Sequence, residues 1–237
     1  MLDVVELHAF YGSSHVVQGV SFSVEHGEAV ALVGRNGVGK TSTLKSLMGM
    51  ETRTRGAVTF LGASLMGLAS HVRASRGLGY VPEERAVFPQ MTVEENIRIG
   101  ALLHRGADQR GVLDRAYALF PILRERRQQM AGTLSGGQQK MLALARGIAL
   151  QPKLLLVDEP TEGLMPANVE LITNALLTAT QSGMTVLVVD SSFDLLRTLC
   201  TRMYAMDRGV LIGTYKPSDF TSPDELAATM LGEARTA

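Results

Sequence analysis

Apolar positions along the 237-residue chain follow two periods, and the places where the period changes divide it into elements. Asp3–Leu7, Val16–Val24 and Ala29–Val33 are alternating or β-branched segments that predict strands, and Ala57–Leu61 predicts a fourth. In TSTLKSLMGM the spacing lengthens, and Leu44, Leu47 and Met48 share one helical face. The fully apolar run Leu154–Val157 reads as a strand buried on both faces, and Thr185–Val189 as another. Ala167–Gln181 between them predicts the helix of a βαβ unit. From Pro89 to Gly132 the strand patterns stop, and the charged helical stretches VEENIRIGALLHR and VLDRAYALFPILRERR predict an inserted helical subdomain. QQKMLALARGIAL is a further helical run, and Ser222-Pro223 suits the cap and first turn of a helix in SPDELAATMLGE.

Composition narrows the partners. The length suits one large α/β domain or a domain with an inserted subdomain. Lys plus Arg balances Asp plus Glu at 23 each, so no global basic field favours nucleic acid. Cys200 is the single cysteine, which excludes an internal disulfide and a thiolate zinc site and points to a reducing cytosol. Its position after Leu195–Leu199 predicts core packing rather than a reactive thiol. The opening MLDVVELHAFYG lacks a basic region before an apolar stretch, so no secretion signal is expected. Runs such as AVALV and LLLV fall far below the roughly 18 residues of a membrane-crossing helix, so a membrane role would come through a partner.

Three motifs carry chemistry. Gly34, Arg35, Asn36, Gly37, Val38, Gly39, Lys40, Thr41 and Ser42 read GRNGVGKTS, the Walker A spacing between a strand and a helix. Such a turn aims backbone N–H groups and a helix N-terminus at phosphates, with Lys40 for the β and γ phosphates and the Thr41 hydroxyl for Mg²⁺. The strand ending LLLVDEP places Asp158 to hold magnesium through a water and Glu159 to polarise an attacking water. Leu134, Ser135, Gly136, Gly137 and Gln138 read LSGGQ ahead of a helix and form a second anion nest. One chain does not need two nests for one phosphate. The duplication suggests that Ser135 and Gly137 meet the γ-phosphate held by another subunit, although a helix cap alone would also account for Ser135.

GRNGVGKT, VPEER, LSGGQ, LLLVDEP and TEGLMP, in that order, resemble the nucleotide-binding subunit of an ABC transporter over essentially the whole chain. The resemblance implies a P-loop NTPase (RecA-like) α/β core with an N-terminal antiparallel β subdomain, over 1–84 and 133–237, and an inserted α-helical subdomain over 85–132. It implies an ATPase using ATP and Mg²⁺, with Tyr11 stacking on adenine. YVPEERAVFPQMTVEEN, DEPTEGLMP and YAMDRG look most like importers of branched-chain amino acids, with the urea and short-amide branch close behind. The implied partners are permease subunits, a solute-binding protein and a second, non-identical ATPase chain, and the implied place is the cytoplasmic face of the membrane. A soluble ABC protein of DNA repair or translation would need a long coiled-coil insertion or two tandem cassettes, and neither is present.

The chain also departs from the family pattern. The Q-loop position holds Glu83, which can ligate Mg²⁺ but adds negative charge near the γ-phosphate. Relatives resembling this branch often carry Glu there, so a lineage habit without kinetic effect is the alternative. All five histidines (His8, His15, His26, His71, His104) precede the LSGGQ motif, and the switch-histidine position aligns with Ser191. Serine is too short to span that gap and carries no cation, a loss on the order of 10²–10³ in rate. Met165 occupies the D-loop aspartate position, and Asp190 is a candidate to compensate in part, although its charge is wrong for a γ-phosphate contact. With Glu159 intact, the expectation is a slow site on this chain whose LSGGQ completes a faster site on the partner.

Overall fold

The computed structural model describes residues 1–51, 53–84, 87–101 and 108–230. Readings that fall on 85–86, on 102–107 (His104 among them) and on 231–237 lie outside them. In chain order the strands are β1 Leu2–Tyr11, β2 Ser14–Val24, β3 Ala29–Val33, β4 Arg53–Phe60, β5 Ala63–Ser64, β6 Leu78–Val81, β7 Leu154–Asp158, β8 Thr185–Val189, β9 Arg202–Asp207 and β10 Val210–Tyr215. The helices are α1 Lys40–Met48, α2 Ser70–Ser75, α3 Val93–Ala101, α4 Gln109–Leu119, α5 Pro121–Glu125, α6 Gly136–Ala149, α7 Pro166–Gln181, α8 Phe193–Leu199 and α9 Pro223–Met230.

Two sheets result. An antiparallel sheet has the order β2-β1-β4-β5, and a six-stranded sheet has the order β10-β9-β3-β8-β7-β6. In the larger sheet all neighbours are parallel except β10, which returns antiparallel on β9. This is an α/β core with an antiparallel β subdomain and helical parts.

Strand β1 runs past the expected end at Leu7 because its alternation is reset. Leu2 and Val4 are buried and so are Leu7 and Ala9, with Glu6 between them at φ 49° and a register shift on both neighbouring strands. The extra residue keeps Glu6 out of the core and turns Leu7 inward, as a β-bulge does. Strand β4 starts earlier than the apolar pattern of Ala57–Leu61 because its first half packs outside the core, where the Arg53 guanidinium sits 4.7 Å from the Phe10 ring centre. The helical stretch after residue 108 breaks between α4 and α5, where Pro121 denies Phe120 a helical conformation.

The central strands are buried on both faces and serve two cores. Ala29, Ala31 and Val33 of β3, Leu155 and Val157 of β7, and Val186 and Val188 of β8 join a core shared with α3–α8. Val30, Leu32, Leu154, Leu156, Leu187 and Val189 point the other way, into a core closed by α1 and the antiparallel sheet. Cys200, which caps α8, is buried in the first core as expected, and burial pushes its thiol pKa well up. Among the described residues no helix is long and apolar enough to cross a membrane.

Candidate nucleotide site

The carboxyl ends of β3, β6, β7 and β8 deliver the chemistry to one edge of the sheet, the place where open parallel sheets bind ligands. Leaving β3, the chain enters a glycine loop and then α1. Gly39 caps that helix at φ 108°, and a side chain there would meet the Val16 carbonyl at 2.9 Å, so glycine is required on both counts. The first turn of α1 holds no acidic residue, leaving its N-terminal field open to an anion.

Lys40 is 6% exposed and turns back over the loop, donating to the carbonyls of Gly34 and Arg35 at 3.0 and 3.1 Å. Its ammonium also lies 3.6 Å from the Glu159 carboxylate. One residue on, Thr41 donates its hydroxyl to Asp158 Oδ1 at 3.0 Å, and Tyr80 of β6 donates to Asp158 Oδ2 at 3.1 Å. Asp158 is thus buried with both oxygens engaged. Burial raises its pKa, opposed by the Thr41 and Tyr80 hydrogen bonds and by the nearby lysines.

Glu159 follows at φ 42°, its N–H donating to the Val189 carbonyl at 2.8 Å. Its carboxylate shares the edge with Glu83 and Glu162, and oxygens of all three lie within 4.8 Å of one another. Burial, then a hydrogen bond to Glu162, pushes the Glu159 pKa up to about 7. Glu83 is raised for the same reasons, while Glu162, as the accepting partner of both, is lowered. A cavity of about 350 Å³ opens between these carboxylates and Asn36, Gly37, Gly39, Lys40, Thr41 and Ser42, with Val16 at its side.

The structure therefore brings together most of the residues expected from the loop, with Glu83 and Glu159. Gly34 and Arg35 reach the site through their carbonyls, and Val38 is buried beneath the loop. Tyr11 ends β1, 76% exposed and outside the cavity wall, and Ser191 is likewise exposed outside it. Leu134 is buried, and Ser135 caps α6 in a reciprocal capping box with Gln138. Behind them Gly137 packs on Asn168 of α7 so closely that a side chain would lie 2.6 Å from its amide nitrogen.

One expectation is corrected. Asp190 does not replace the polarity missing at Met165. It is buried and accepts from the Thr161 hydroxyl at 2.7 and 2.8 Å, the Thr161 N–H at 3.0 Å and the Ser192 N–H at 2.7 Å. Its charge is spent inside the chain, while Met165 stands 70% exposed. Tyr80, Lys140 and Glu162 escaped the sequence reading. Lys140 donates to the carbonyls of Glu159 and Glu162 at 2.8 and 2.9 Å.

The pattern that defines the ABC transporter family matches residues 17–162, which span the glycine loop, the Ser135 helix cap and the Asp158–Glu162 turn. The chain belongs to the ABC transporter ATP-binding family. This ABC subunit is 36% identical over 212 residues to the high-affinity branched-chain amino acid transport ATP-binding protein BraG of Pseudomonas aeruginosa, covering 90% of this chain and 91% of BraG. It is 37% identical over 177 residues to the probable branched-chain amino acid transport ATP-binding protein LivF of Archaeoglobus fulgidus, covering 75% of each. The lipopolysaccharide export ATP-binding protein LptB of Haemophilus influenzae is 30% identical over 235 residues, covering 98% of both chains. In fold, the subunit matches an ATP-binding subunit of an ABC transporter at TM-score 0.85 and 24% identity, over 98% of this chain and 99% of that one. A dimeric cassette bound to ADP and Pi in a post-hydrolysis state matches at TM-score 0.83 and 24% identity, over 92% and 99%. The protein is an ATPase coupled to transport.

Proposed function

We propose that this subunit binds and hydrolyses ATP to drive a membrane importer of branched-chain amino acids. The observation that carries the reading is the convergence of Lys40, Thr41 and Glu159 on one cleft at the strand ends, with the buried Asp158 bonded to Thr41 behind it. For the solute, the likeness to BraG over nine-tenths of the chain gives the direction.

In this reading the loop N–H groups and Lys40 hold the phosphates, with Lys40 exchanging its carbonyl contacts for phosphate oxygens. Thr41 and Asp158 would hold Mg²⁺, with Glu83 as a further oxygen ligand. They fit it, since the hydroxyl and carboxylate already meet at 3.0 Å and present the hard oxygen donors magnesium takes. When bound, the ion neutralises phosphate charge. Glu159 orients the attacking water and accepts its proton. Tyr11 stacks on adenine from the hairpin end, and Ser135 and Gly137 act on nucleotide held by a second, non-identical ATPase chain.

A second cavity, about 550 Å³, lies between β6 and α3 and is walled by Met50, Tyr80, Phe88, Ile99 and Leu150. Its apolar walls suit a permease helix, which would keep this chain peripheral on the cytoplasmic face of the membrane. Tyr80 forms part of that wall and also bonds Asp158, which in turn bonds Thr41 of the nucleotide cavity, so Tyr80 and Asp158 bridge the two cavities. The exposed Ser191 supports a second reading, in which the chain is a nucleotide-dependent clamp and hydrolysis belongs to its partner.

The deciding experiment purifies the chain with its membrane partners and compares ATP turnover with and without Glu159→Gln, alongside uptake of labelled leucine. Turnover and leucine uptake should both fall, though less than with the equivalent change in the partner ATPase chain, whose site is the faster one. Near-normal turnover would make the chain the clamp, and uptake of urea or short amides but not leucine would move the solute to that branch. Recovery of the chain with lipopolysaccharide export components would replace import altogether.

A further inference from the structure

The turn that carries Glu159 is fixed from three directions. From the sheet, Glu159 N–H bonds the Val189 carbonyl; from the end of β8, Asp190 holds Thr161. The third hold comes from α6, where Lys140 donates to the Glu159 and Glu162 carbonyls. Glu159 sits at φ 42°, a conformation a residue with a side chain keeps when its surroundings enforce it. A carbonyl held by an ammonium fixes the peptide plane beside it, and that plane sets where the Glu159 side chain departs.

Lys140 also stands about one and a half turns along the helix that Ser135 caps. The capping box makes the start of α6 a defined end, so a shift of Ser135 carries Lys140 with it.

We propose that Lys140 is a positioning residue for hydrolysis: it directs the Glu159 carboxylate through the two carbonyls and links that direction to the placement of the Ser135 end of α6. The assignment rests on the proposed role of Glu159 in orienting water. A methionine would fill similar space without donating, whereas arginine keeps the charge and more than one donor.

The test uses the full-length chain in its transporter complex, with the partner ATPase's equivalent glutamate changed to glutamine so that turnover reports this site, and measures turnover against Mg·ATP concentration for Lys140→Met and Lys140→Arg, with melting temperatures beside them. Lys140→Met should lower kcat about ten- to a hundred-fold, as small misplacements of a catalytic group do. KM should move less than about twofold, because the phosphate contacts are untouched. Lys140→Arg should recover most of the rate. Unchanged kcat in Lys140→Met overturns the assignment. So does a fall in rate that arrives with a lost melting transition or a raised KM, or that arginine does not rescue. Glu159→Gln run in parallel separates the two claims. If it leaves turnover intact, the reading of Glu159 fails and Lys140 falls with it; if it stops turnover while Lys140→Met does not, only Lys140 is withdrawn.

Discussion

A carboxyl group that takes a proton from water works only while ionised, and Glu159, proposed for that task, is held near the point where it changes state. Burial and the hydrogen bond to Glu162 raise its pKa to about 7, against the pull of Lys40. Below that value the group is protonated and idle; above it the base is present. Turnover at limiting Mg·ATP, where the rate follows the unliganded site, should therefore rise with pH through about 7, with a limiting slope of one proton. Replacing Glu162 with alanine removes the acceptor that keeps the proton on Glu159 and should move the midpoint down. A rate flat from pH 6 to 8 in both forms would show that another step limits turnover. That Lys40, Thr41, Asp158 and Glu159 belong together was legible in the sequence because local spacing marks them, a glycine turn before a helix and a DE after an apolar strand. Tyr80 and Lys140 were not, because each reaches the site from an element far away in sequence, and Glu162 was not, because its carboxyl meets Glu159 and Glu83 only once the turn is folded.

At the scale of elements, Thr161 and Asp190 join the turn after β7 to the end of β8 through contacts buried from water. Thr161→Val keeps the shape and removes the hydroxyl donor, leaving a buried carboxylate under-satisfied. The expected cost is about 1–3 kcal/mol in urea unfolding, and a change within about 0.5 kcal/mol would mean the Thr161 and Ser192 N–H groups satisfy Asp190 by themselves. The strands divide in the same way as the site residues. β3, β7 and β8 announce themselves because both faces are buried and the residues are uniformly apolar. β6 is a four-residue edge strand with a glycine inside it, too short to set a period. β9 and β10 went unread although Arg208 and Gly209 between them both take positive φ, the geometry of a tight hairpin turn.

Across the whole molecule, the single cysteine offers a measure of cooperativity. Cys200 lies in the core shared by the helices, and its thiol is kept protonated by burial. A thiol reagent should leave the native chain nearly unlabelled and react stoichiometrically in denaturant, at a rate following the opening of that core. Rapid labelling of the native chain would place α8 among the locally unfolding segments.

The strands β3, β7 and β8 stand between two cores and lend each its own alternate set of residues. They act as a party wall. A lineage can refurnish the helical side, residue by residue, and the side shared with α1 and the antiparallel sheet keeps its fit, because among the described residues the two rooms have no buried side chain in common.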